Sequence, residues 1–140
     1  PDHPLARARA VALADVVRHP LLVGDRGVTA RQLFDLACSA QGLQYRPVFV
    51  SNFSSVMLPL LRSPDILLSG QLTVAHLIEA GAVVARPFAD PMLGQRRLQA
   101  LSLDGRTLSP LARAFVQALV TTMNAVARRR LGRARKTVAA

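Results

Sequence analysis

A chain of 140 residues with 51% apolar side chains, five Phe, one Tyr and no Trp is the size of one domain, with a core of Leu, Val and Ala. Its single cysteine, Cys38, excludes an internal disulfide framework and fits a reducing compartment, the cytoplasm by default. No apolar run reaches the roughly 18–20 residues a membrane helix needs, and Pro1-Asp2-His3-Pro4 lacks the basic-then-apolar start of a signal peptide.

In chain order, residues 1–10 are rich in Pro and Arg and read as irregular, and Leu13-Ala14-Asp15-Val16-Val17 makes a turn or two of helix before His19-Pro20. Pro20-Leu21-Leu22-Val23-Gly24 is a short strand, Asp25-Arg26-Gly27 break it, and Thr29 can cap a helix through about Gly42. Leu33, Phe34, Leu36, Ala37 and Ala40 form its apolar stripe, with Cys38 on the core side. Gly42 suits the left-handed position after a helix end. The pattern repeats once: strand Pro47-Val48-Phe49-Val50, turn Ser51-Asn52, and a helix through about Arg62 burying Val56, Met57, Leu60 and Leu61, with Pro59 forcing a kink or late start.

Asp65-Ile66-Leu67-Leu68-Ser69 reads as a third short strand, followed by a helix capped by Thr73 and ended by Gly81. Residues 82–88 and 96–103 are two more expected strands, and Asp104-Gly105 is a turn. Ser109-Pro110 opens a long helix, a serine cap with proline at the first helical position. Leu111, Phe115, Leu119, Met123 and Val126 line one side of it. Arg128, Arg129, Arg130, Arg133, Arg135 and Lys136 supply six of the ten net positive charges, leaving 12 basic against 8 acidic residues elsewhere. That tail reads first as a solvated, disordered end. Non-specific phosphate contact is the alternative, although no aromatic residues interleave to stack bases.

Short apolar runs alternating with amphipathic helices predict an α/β domain: a mostly parallel sheet flanked by helices. In such sheets ligands sit beyond the carboxyl ends of the strands. The candidate site is therefore the pair of turns Gly24-Asp25-Arg26 and Ser51-Asn52-Phe53, where free helix N–H groups suit an anion. Ser51 can cap its helix as well as touch a ligand. Arg26 can meet an anionic effector, pair with Asp25, or belong to an ordinary surface turn. Arg31 opposes the dipole of its helix, which points to a carboxylate partner such as Asp35 at i+4. Catalysis finds no footing: there is no Gly-x-Ser-x-Gly elbow, phosphate loop or metal spacing, and His3, His19 and His76 are far apart in sequence. No cofactor or metal is expected.

Several segments in order carry a resemblance: Asp2-His3-Pro4-Leu5-Ala6, Leu13-Ala14-Asp15-Val16-Val17-Arg18-His19-Pro20, Arg31-Gln32-Leu33-Phe34-Asp35, Val50-Ser51-Asn52-Phe53-Ser54-Ser55, Glu79-Ala80-Gly81-Ala82-Val83-Val84-Ala85-Arg86-Pro87, and Gly105-Arg106-Thr107-Leu108-Ser109-Pro110-Leu111-Ala112-Arg113-Ala114-Phe115. Together they resemble the effector-binding (substrate-binding) domain of LysR-type transcriptional regulators. Ser63-Pro64-Asp65 departs from the glycine-rich turn usual there. The resemblance implies a fold like type II periplasmic binding proteins, with a small-molecule cleft between two subdomains. It implies a second subdomain over 1–105, a crossover and return helix over 106–131, and a basic tail over 132–140. It also implies an effector, a carboxylate as the candidate, and a homo-oligomer using an edge strand and the helix near 30–40. DNA would be bound only through an N-terminal domain that precedes these residues, and with half the cleft elsewhere, weak or no effector binding is expected. The five-residue stripe of the long helix is expected to dock on the remaining subdomain or on a second copy. A solute-binding protein of similar fold and a basic nucleic-acid module acting through the tail are the rivals.

Overall fold

The computed structural model describes residues 2–70, 72–95, 99–105 and 107–136, with side chains as far as residue 125. Two compact units divide the chain, Pro1–Arg96 and Arg97–Ala140. In the first, a 3-10 turn Pro4–Arg7 and helix α1 (Leu13–Val16) precede β1 (Leu21–Val23), α2 (Thr29–Ala40), β2 (Phe49–Val50), α3 (Ser54–Leu60), β3 (Ile66–Leu67) and α4 (Ala75–Glu79). The second unit contains α5 (Pro110–Lys136), whose first turn is capped by Ser109 Oγ accepting from the Ala112 amide at 3.2 Å.

The three strands are parallel and ordered β2-β1-β3, with Leu22 beside Phe49 on one side and beside Leu67 on the other. β1 is central, and all three of its residues are buried, as an uninterrupted apolar run in a parallel sheet requires. α2 carries the chain to one edge, and α3 carries it back across to the other. Beneath the sheet the core gathers Val11, Leu13, Val16, Leu21, Val23, Phe34, Ala37 and Cys38. Phe34 is fully buried and meets Tyr45 edge-on at 5.0 Å and Phe88 at 5.6 Å. Gly42 ends α2 as expected, at φ +66°, with the Leu43 amide reaching back to the Cys38 carbonyl at 2.8 Å.

Six expectations are corrected. Thr29 is the first helical residue of α2 and not its cap: the Asp25–Val28 turn brings Val28 to the cap position, where it offers no side-chain bond. The buried face of α2 is Arg31, Phe34, Ala37 and Cys38, while Leu36 is 60% exposed, because the helix is rotated to tuck Arg31 inward. α3 stops at Leu60, one residue past Pro59, and buries only Met57, leaving Val56 and Leu60 exposed; Arg62 donates to the Pro59 and Leu61 carbonyls instead of continuing the helix. Thr73 makes no cap bond, since α4 begins at Ala75 with Val74 in the cap position. The expected strand over 82–88 shrinks to a single parallel bridge between Phe88 and Val11, beside Pro87, which has no N–H to extend a ladder. Of the expected strand over 96–103, residues 96–98 lie outside the described residues and 99–103 have no regular structure.

Two histidines distant in sequence meet. The His3 and His19 ring centroids are 4.5 Å apart, and His3 Nδ1 accepts from the Leu5 amide at 3.0 Å. With Nδ1 an acceptor, neutral His3 carries its proton on Nε2 and donates it to the Pro64 carbonyl at 3.0 Å. Burial, followed by the neighbouring His3, pushes His19 below its ordinary 6.5, with Asp15 acting weakly the other way. Below pH 6.5 the unfolded chain therefore binds a proton that folded His19 resists. Stability supplied by neutral His19 is complete above that value and is lost as pH falls through the lowered folded one. Urea midpoints at about pH 7.5 and about pH 5 should differ less in His19→Asn than in the parent chain.

Candidate functional site

Each strand of the sheet ends in a loop that feeds a helix, and the three loops close around one cleft of about 150 Å³. Gly24 and Val28 come from the loop after β1, Ser51 and Asn52 from the one after β2, and Leu68, Ser69 and Gly70 from the one after β3. This is the carboxyl edge of the sheet, where α/β sheets hold ligands. The turns after β1 and β2 are tied together: the Asp25 amide donates to Asn52 Oδ1 at 2.9 Å.

Three of the six predicted site residues, Gly24, Ser51 and Asn52, line this cleft. Asp25 is not among the lining residues, although its amide holds Asn52, and its Oδ1 accepts from the backbone amide of Arg26 at 2.7 Å. Arg26 instead borders an open groove of about 550 Å³ beside α2 and residues 42–45. Phe53 is 69% exposed and occupies the cap position of α3, with its amide donating to Ser51 Oγ at 3.1 Å. Ser51 thus braces the turn one step before the helix rather than capping it. Sequence reasoning missed the third loop and Met57. The signal was present, because Ile66-Leu67-Leu68, Ser69-Gly70 and the helix at Ala75 repeat the strand–turn–helix pattern a third time.

The cleft lining contains no carboxylate, and Arg31 is its one cation among the described residues. The first turns of α2, α3 and α4 hold no acidic residue, and no side chain caps them. Their leading N–H groups are left for solvent or a ligand. Arg31 Nε meets Asp35 at 2.8 and 3.0 Å, the pairing expected at i+4, and Nη1 meets the Gly24 carbonyl at 3.4 Å. The guanidinium lies 5.1 Å from the Tyr45 ring centre, and the Tyr45 hydroxyl donates to Asp35 Oδ1. Burial, followed by that bond, pushes the Tyr45 phenol well above its usual range. Burial, with Asp35 next, also raises the Cys38 thiol, which is protonated at neutral pH. Among the described residues no three His, Cys, Asp or Glu side chains gather as metal ligands would.

A parallel sheet flanked by helices, with a loop-built cleft on its carboxyl edge, makes this an α/β domain, and the family it matches has a periplasmic-binding-protein-like fold. The model of the LysR substrate binding domain family matches residues 1–124, and the chain belongs to that family. Domains of this family serve regulation rather than catalysis. No solved structure matches the chain.

Proposed function

We propose that this chain is the effector-sensing domain of a LysR-type bacterial transcriptional regulator and that its cleft takes a small carboxylate. The observation that carries the reading is the convergence of three strand-to-helix loops on a hollow lined, among the described residues, by one cation and no acid. A carboxylate there would meet the Arg31 guanidinium, the N–H groups opening α2, and the polar groups of Ser51 and Asn52. Asp25, Arg26 and Phe53 act at the periphery, Asp25 by holding Asn52. The effector's differential affinity for two arrangements of the protein is the only energy available for signalling. The regulator works in the cytoplasm as a homo-oligomer, with α2 and the edge strand β2 offering the contact, and DNA is held by a separate domain.

The cleft is smaller than typical drug-sized pockets, so binding should be weak. Titrating the 140-residue chain with benzoate, succinate and acetate to ~10 mM, a range suited to millimolar affinity, tests the reading by amide NMR. At least one acid should shift the Gly24, Asn52 and Gly70 signals saturably, and Asn52→Ala should weaken it about tenfold. Shifts that stay absent at those amides for all three acids would refute it.

A further inference from the structure

Arg31 borders the cleft and the open groove alike, and is only 7% exposed. Its charge opposes the α2 dipole from the helix's first turn, so helix stability does not explain its placement. A surface i,i+4 pair is worth little, but here the Arg31 side chain is only 9% exposed and Asp35 is partly covered. Asp35 Oδ1 accepts from both Arg31 Nε and the Tyr45 hydroxyl, and the Tyr45 ring stands edge-on against fully buried Phe34. On its other side the guanidinium reaches the Gly24 carbonyl, in the loop whose Asp25 amide holds Asn52. The chain of support thus runs from the core through Tyr45, Asp35 and Arg31 to two of the three cleft loops.

We propose that Asp35 and Tyr45 are positioning residues of the cleft: acting through Arg31, they hold the β1–α2 loop in the shape that a ligand meets. The inference rests on the cleft reading above and assigns it a support that lies in the neighbouring groove. The Arg31–Gly24 contact, at 3.4 Å, is the longest of the hydrogen bonds that link Tyr45, Asp35, Arg31 and Gly24, and depends most on the guanidinium being held still. A change at Tyr45 should therefore reach the loop before it reaches the sheet.

Tyr45→Phe keeps the ring against Phe34 and removes only the hydroxyl. Arg31→Lys keeps a charge that cannot span Asp35 and Gly24 together. In the 140-residue chain, hydrogen exchange at the Asp25 and Val28 amides reports the loop, and the Leu68 amide, bonded to the Leu22 carbonyl, reports the sheet. Both variants should speed exchange at Asp25 and Val28 roughly five- to tenfold, leave Leu68 unchanged, and weaken benzoate binding by a similar factor. Unchanged loop exchange in both variants overturns the proposal, and so does an acceleration shared equally by Leu68, which would mark a merely structural role. A loop that loosens selectively while benzoate binds neither parent nor variant supports the positioning role and counts instead against the carboxylate reading.

Discussion

Phe34→Ala lowers the stability of the first unit by about 3–5 kcal/mol, read from urea midpoints followed by circular dichroism. Phe34 is fully buried on the inner face of α2, with Tyr45 and Phe88 packed against its ring. Truncation leaves a hollow bounded by two rings and by short aliphatic side chains that cannot swing in to fill it. Against a total of ~5–15 kcal/mol, the loss is a large share of what holds a small domain folded. Phe53, at 69% exposure, is the matched control, and Phe53→Ala should move stability by less than about 0.5 kcal/mol. Equal effects would mean that α2 is rotated differently from the arrangement described.

Asp35→Ala costs about 2–3 kcal/mol. Removing one member of a fully buried pair costs about 3–5 kcal/mol, because the remaining charge is stranded. Here the two side chains are 9% and 38% exposed, so water reaches Asp35 and the figure is lower. The substitution also deprives the Tyr45 hydroxyl of its acceptor. Adding Arg31→Met to Asp35→Ala should recover part of the loss, since the stranded cation is then gone. A loss that deepens in the double variant would contradict this account.

The strand–helix succession from β1 to β3 was legible because short apolar runs and their Gly, Pro and Ser breaks are local signals. So was the Arg31–Asp35 pair, which needs only helical spacing. The rotation of α2 was not. Counting apolar positions puts Leu33 and Leu36 inward, yet Arg31 takes the inner position because Asp35 and Tyr45, the latter beyond the helix, receive its charge. The cleft was half legible for a similar reason. Turns after strands can be read, but which side chains face inward depends on how each loop leaves the sheet. Ser51 and Asn52 face the cleft, while Phe53 and Arg26 turn away from it. The third strand and its helix were legible too, but treating only the first two strand–turn–helix units as a repeat leaves the loop between them out of the site. The His3–His19 contact was hidden by the whole of the intervening fold.

Tyr45 is the lone tyrosine of a chain without tryptophan. Tyrosine emission in this protein therefore reports a single address, the joint between α2 and the hollow beside it. A phenol bonded to a carboxylate is quenched relative to one in water, so the folded molecule should emit less than its unfolded form. The domain carries its own optical gauge, and no dye or engineered fluorophore is needed to watch that joint loosen.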